Sequence, residues 1–152
     1  MGIDDISAFN HIGLCVTDLS RSRRFFEEAF GFRYLYELKT PDEASGPLLM
    51  IEPPVGGTAM YLRLDGLILE LLHFDRPGNP PATQRVFNEP GLTHMSLCVD
   101  DVPRALERVK DLGGEVLEET NITLAVMVRD PDGQLIELIP MDYRRRMAQQ
   151  GF

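Results

Sequence analysis

The sequence predicts an α+β protein whose two halves share one plan: a strand, a helix, and then two or three antiparallel strands. Two observations carry this prediction. Short stretches recur in the same order in both halves, and within each half the apolar pattern changes from alternation to a helical stripe. One helix would then cover one face of a small curved sheet. Two such half-sheets would form an incomplete barrel around a central cavity.

The internal repeat is clearest around two histidines and two glutamates. His11 in AFNHIGLCVTD aligns with His94 in GLTHMSLCVDD, and Glu70 in DGLILEL aligns with Glu137 in DGQLIEL. Each half therefore carries one histidine and one glutamate at equivalent positions.

The first half predicts four strands and one helix. Asp18 precedes an apolar stripe as an N-cap residue, and Gly31 is suited to end the helix. The segment 39–48 holds two prolines and a glycine, which predicts a loop. The predicted elements are a strand at Phe9–Val16, a helix at Leu19–Phe30, a strand at Phe32–Leu38, and a hairpin of Thr58–Leu64 with Leu67–Phe74 around an Asp-Gly turn.

The second half repeats the plan after a proline-rich stretch. A strand is predicted at Leu92–Val99, a helix from about Pro103 to Leu112, and strands at Glu115–Glu118, Thr123–Arg129 and Gln134–Ile139. The chain is predicted to be one domain over residues 1–152, with module 1 at about 8–75, a linker at 76–90, module 2 at about 91–140, and a tail at 141–152 that is a short polar helix or loose.

Composition excludes several classes of function. The net charge of −9 would repel the phosphates of nucleic acid, and no apolar run reaches the roughly 20 residues that span a bilayer. The start of the chain lacks the basic and apolar regions of a signal peptide, so a cytoplasmic protein is expected. Cys15 and Cys98 are predicted to be free, buried residues on equivalent strands rather than a disulfide.

The two glutamates indicate a metal site. Glu70 and Glu137 lie among leucines and isoleucines, where an ionised carboxylate is costly to bury alone. For a single glutamate or histidine, a wet strand face is the simpler explanation. The same pairing in both halves favours a divalent cation, because carboxylate oxygen and imidazole nitrogen suit Zn, Ni, Co, Mn or Fe.

The stretches FNHIGLCVTDLSRSRRFFEEAFGF, LILELLHF, GLTHMSLCVDDV and DPDGQLIELIP resemble the vicinal oxygen chelate (glyoxalase, bleomycin resistance, dioxygenase) superfamily over residues 8–140. The resemblance implies two tandem βαβββ modules and one divalent metal ion held by His11, Glu70, His94 and Glu137. A complete set of four ligands is most similar to glyoxalase I-like members.

The resemblance implies a metal-dependent lyase or isomerase that stabilises an enediolate. Glu137 would be the leading catalytic base and Glu70 its partner on the opposite face of the substrate. The alternatives are an isomerase similar to methylmalonyl-CoA epimerase, an Fe(II) ring-cleaving dioxygenase, and a metal-free resistance protein that binds a natural product. A small-molecule substrate and a homodimer are expected, with neither nucleic acid nor membrane as partner.

Overall fold

Two four-stranded sheets and four α-helices make up residues 8–75 and 87–151, the part of the chain that the computed structural model describes. The sequence of elements is strand, helix and strands in each half, with one extra helix in each. In chain order they are β1 (Ile12–Cys15), α1 (Leu19–Phe30), β2 (Arg33–Lys39), α2 (Asp42–Leu49), β3 (Gly57–Leu64), β4 (Leu67–Phe74), β5 (Met95–Val99), α3 (Val102–Asp111), β6 (Glu115–Leu117), β7 (Val126–Arg129), β8 (Leu135–Pro140) and α4 (Met141–Ala148).

Both sheets have the same topology. Their strand orders are β1-β4-β3-β2 and β5-β8-β7-β6. In each sheet the first strand pairs in parallel with the last, and the other neighbours are antiparallel. The predicted α+β class and the two tandem βαβββ modules are therefore confirmed.

In each sheet, the last strand in chain order carries apolar side chains on one face and a glutamate on the other. Leu69 and Leu71 on β4 are fully buried, as are Ile136 and Leu138 on β8. Side chains alternate between the two faces of a strand, so the intervening glutamates project from the opposite face. The two glutamates thus occupy the same place in two equivalent sheets.

The described residues form two compact units, one of residues 8–19 and 33–75 and one of residues 20–32 and 87–151. Almost all of α1 therefore belongs with the second half of the chain. Its Arg21 binds Asp132 at 2.6 Å, and its Phe25 is fully buried. A Cβ atom at Gly114 would lie 2.8 Å from Phe25 Cε2 and 2.6 Å from the Arg129 carbonyl oxygen. Only glycine leaves room for this contact.

The prediction of a loop at 39–48 is wrong, because Asp42–Leu49 forms α2. Pro41 stands at the N-cap, where its fixed φ suits the start of a helix. The Asp42 carboxylate accepts hydrogen bonds from the backbone N–H groups of Val55, at 2.6 Å, and Gly56, at 3.0 Å. These contacts anchor a short helix that its own composition does not indicate.

The cysteines differ from expectation in burial. Neither forms a disulfide within the described residues, as predicted, but Cys15 is exposed and Cys98 is only partly buried. The face of β1 that carries Cys15 is not covered in the way the apolar pattern indicated.

The tail at 141–152 begins with a helix, α4, which decides between its two predicted forms. Within residues 8–75 and 87–151, no helix is long and apolar enough to cross a bilayer. Most of the predicted linker, residues 76–86, lies outside the described residues.

Candidate metal centre

In the first unit, His11 and Glu70 face each other. Parallel pairing of β1 with β4 places Gly13 opposite Glu70, and His11 lies just before β1 begins. His11 Nε2 is 3.1 Å from Glu70 Oε2, and the two side chains are 33% and 12% exposed. A Cβ atom at Gly13 would lie only 3.3 Å from the same oxygen, so the glycine leaves space for the carboxylate.

Tyr61 holds the other oxygen of Glu70. It lies opposite Glu70 on β3, and its hydroxyl donates a hydrogen bond to Glu70 Oε1 at 2.5 Å. Burial, together with the hydrogen bond to Glu70 and the charge of that carboxylate, raises the pKa of Tyr61 to about 12. The phenol therefore stays protonated and remains a donor. Tyr36 stacks on Tyr61 with ring centroids 4.7 Å apart, and the His11 ring makes a T-shaped contact with Tyr61 at 5.9 Å between centroids.

In the second unit, His94 and Glu137 form the equivalent pair. His94 Nε2 is 3.6 Å from Glu137 Oε2, and each side chain is 28% exposed. The Ser96 hydroxyl donates to the same oxygen, Oε2, at 2.8 Å. Thr93 Oγ1 lies 2.8 Å from His94 Nδ1, so a hydrogen bond there leaves Nε2 as the nitrogen that faces Glu137. The Phe87 ring lies against the imidazole, with centroids 5.2 Å apart.

The separations within the two pairs can be compared with that of two ligands on one ion. Donor atoms at about 2.1 Å from an ion, at angles between octahedral and tetrahedral, lie about 3.0–3.4 Å apart. The His11–Glu70 distance of 3.1 Å lies within this range, and the His94–Glu137 distance of 3.6 Å exceeds it by about 0.2 Å. Within residues 8–75 and 87–151, however, no three or more His, Cys, Asp or Glu side chains lie close enough together to hold a metal ion. The described geometry comprises two pairs, and the four-ligand set stays a prediction.

The remaining histidine takes no part in either pair. His73 Nδ1 is 3.2 Å from the Val16 carbonyl oxygen, and its Nε2 is 3.5 Å from an Asp75 carboxylate oxygen. His73 and Glu70 are three residues apart on β4, so alternation of side chains places them on opposite faces of the strand. Tyr61 and Ser96, which donate hydrogen bonds to the two glutamates, are site residues that sequence reasoning missed.

Comparison with known proteins identifies the family. The model of the Glyoxalase/Bleomycin resistance protein/Dioxygenase superfamily matches residues 8–138. The chain belongs to this superfamily. The matched range contains both histidines and both glutamates of the two pairs, and the resemblance seen in the sequence is confirmed.

Named superfamily relatives include two kinds of enzyme. The chain is 30% identical over 135 residues to a lactoylglutathione lyase of Neisseria meningitidis, covering 85% of this chain and 87% of the relative. It is 28% identical over 113 residues to an ethylmalonyl-CoA/methylmalonyl-CoA epimerase of Cereibacter sphaeroides, covering 74% and 75%. A glyoxalase family protein of Bacillus cereus superposes with a TM-score of 0.77 at 19% identity, covering 92% and 97% of the two chains. That likeness shows the fold.

Proposed function

We propose that the protein is a divalent-metal-dependent lyase or isomerase of the glyoxalase type. The observation that carries the proposal is the repeated pair: in each unit an imidazole Nε2 faces a glutamate oxygen, at 3.1 Å and 3.6 Å. In this proposal His11, Glu70, His94 and Glu137 together bind one ion of Ni, Zn, Co, Mn or Fe. The lyase relative from Neisseria meningitidis supports the reaction class.

A bound divalent ion would polarise a substrate carbonyl and so acidify the neighbouring C–H bond. Glu137 is the proposed base. Its carboxylate takes the proton from carbon, the electron pair of that bond moves toward the carbonyl oxygen, and the proton is then returned to the neighbouring carbon. Among the described residues no hydrogen bond reaches Glu137 Oε1, which leaves this oxygen available to a substrate proton. Glu70 is less available to a substrate proton, because Tyr61 contacts its Oε1 and His11 contacts its Oε2.

The test begins with metal analysis of the purified protein and continues with turnover of a hemithioacetal. Glu137→Gln should retain the fold and substrate binding but lose turnover by at least about 10²-fold, the lower end of the contribution of a positioned base. Glu107→Gln is the matched control, since Glu107 is an exposed glutamate on α3. Full turnover by Glu137→Gln would refute the assignment of the base.

An epimerase is the second candidate, favoured by the relative from Cereibacter sphaeroides. It would remove a proton from carbon in the same way on an acyl-CoA substrate, and a proton exchangeable with solvent would then be delivered to the opposite face of that same carbon. Incubation with an acyl-CoA in deuterated water distinguishes the candidates, because only the epimerase incorporates deuterium there. Iron with oxygen-dependent ring cleavage would instead indicate a dioxygenase. A metal-free protein that binds a natural product without turnover would indicate a resistance protein.

In this proposal the protein acts as a homodimer. The two histidine–glutamate pairs of one metal site would then come either from a single chain or from both chains. Mixing two inactive variants, His11→Ala and His94→Ala, separates these arrangements. If each site draws one pair from each chain, a mixed dimer contains one intact site and regains activity. If each site is built within one chain, the mixed dimer stays inactive.

A further inference from the structure

Glu70 and Glu137 each accept a hydrogen bond from a hydroxyl group. The donor lies on a different neighbouring strand in the two sheets. Glu70 on β4 lies between Gly13 on β1 and Tyr61 on β3. At the corresponding places, Glu137 on β8 lies between Ser96 on β5 and Met127 on β7. In the first unit the hydroxyl therefore comes from the antiparallel neighbour, and in the second from the parallel neighbour.

The two carboxylates also differ in which of their oxygens is contacted by a neighbouring side chain. Tyr61 donates to Glu70 Oε1, while His11 Nε2 faces Oε2. Ser96 and His94 both address the same oxygen of Glu137, Oε2. The first carboxylate thus has one contact on each oxygen, and the second has both contacts on one.

The surroundings of Tyr61 fix its direction. Its ring stacks on Tyr36 and makes a T-shaped contact with His11, so the phenol has little freedom to turn away from Glu70. Gly13 leaves the opposite side of the carboxylate free of a side chain. A carboxylate held in this way presents one oxygen, Oε2, toward the imidazole.

We propose that Tyr61 is a positioning residue of the metal centre, which holds Glu70 Oε1 so that Glu70 can bind an ion through Oε2 alone. This inference rests on the proposed function, because it concerns one ligand of the same ion. Tyr61 acts through Glu70 and needs no contact with the metal or the substrate. The two carboxylates then differ in role: Glu70 is a fixed single-oxygen ligand, and Glu137 keeps an oxygen for proton transfer.

The experiment titrates metal-free wild type, Tyr61→Phe and Tyr36→Phe with Co(II) and records the visible absorption of the bound ion. Tyr61→Phe keeps the ring stack but releases Glu70 Oε1. Loss of a residue that orients a metal ligand typically lowers metal affinity 10- to 100-fold, and a decrease of about that size is expected. The Co(II) spectrum should also change, because a released carboxylate can bind through both oxygens. Tyr36→Phe removes a hydroxyl from the neighbouring ring and should match wild type in both measurements.

Circular dichroism of the metal-free proteins at the titration temperature verifies that each variant is folded. If wild type and Tyr61→Phe bind Co(II) with equal affinity and equal spectra, Tyr61 has no positioning role, and the proposed function still stands. If wild type binds no Co(II), Zn(II) or Ni(II), the proposed metal centre fails, and this inference fails with it.

Discussion

Asp130 gives a prediction about stability that is independent of the metal centre. It lies in the turn between β7 and β8, and it is 3% exposed. Its Oδ1 accepts hydrogen bonds from the backbone N–H groups of Asp132 and Gln134, at 2.9 and 2.8 Å. Its Oδ2 is buried without a hydrogen-bond partner among the described residues. Burial, opposed by the backbone hydrogen bonds and reinforced by the charge of Asp132, raises the pKa of Asp130 from 3.8 to about 6.

The raised pKa means that the folded protein binds this proton more tightly than the unfolded chain does. Its contribution to stability is therefore fully present below about pH 4 and is lost as the pH rises through about 6. Each pH unit between the two pKa values corresponds to 1.36 kcal/mol, so the loss amounts to about 3 kcal/mol. Asp130→Asn cannot ionise, but its Oδ1 can still accept both backbone hydrogen bonds.

Urea unfolding of wild type and Asp130→Asn at several pH values from 4 to 8 measures this effect. The stability of the variant relative to wild type should rise by about 2 kcal/mol between pH 4 and pH 7, since a small part of the effect already occurs below pH 4. Asp100→Asn, at an exposed aspartate, is the control and should show no such change. A constant difference between Asp130→Asn and wild type across this range would falsify the argument that burial of Asp130 controls its ionisation.

The remaining predictions concern packing and the second glutamate. Gly114→Ala should lower the free energy of unfolding by about 1–3 kcal/mol in urea, because its Cβ would lie under 3 Å from three neighbouring atoms. Gly66→Ala, with no atom within 4 Å of the added Cβ, is the control and should cost much less. Ser96→Ala should lower kcat by about tenfold or more, because Glu137 loses its hydroxyl contact. Its effect on Co(II) affinity, measured by titration, should be smaller than that of Tyr61→Phe.

Elements defined by local signals were predicted closely. The helix at Leu19–Phe30 has the predicted bounds, and the hairpin of β3 and β4 differs from its prediction by one residue. Both depend on neighbouring residues alone: an N-cap residue and a terminal glycine for the helix, and an Asp-Gly turn for the hairpin. Local chemistry is sufficient where the contacts that define an element are close in sequence.

The first strand of each half was predicted too long. β1 begins at Ile12 rather than Phe9, and β5 begins at Met95 rather than Leu92. These strands are bounded by parallel pairing with β4 and β8, which lie far away in the chain. No local residue marks where such pairing starts. As a result, each histidine lies at the entrance to a strand instead of within it.

The residues of the candidate site also fall into those that the sequence could identify and those that it could not. The repeat identified both histidine–glutamate pairs, and the structure brings the members of each pair together. Tyr61 could have been found as well, because the Asp-Gly turn fixes the hairpin register that places it opposite Glu70. The contact of Ser96 with Glu137 depends on parallel pairing between distant strands, which local patterns do not define.

The position of α1 has a consequence for how the chain can be divided. The helix is encoded in the first half, yet Phe25 and Arg21 make their contacts with Gly114 and Asp132 of the second. A fragment that starts at the second module would lack this helix and expose the apolar surface that Phe25 covers. The second half of the sequence is therefore not an independent folding unit, and a substitution in α1 acts on the packing of a unit encoded mostly more than 60 residues later in the chain.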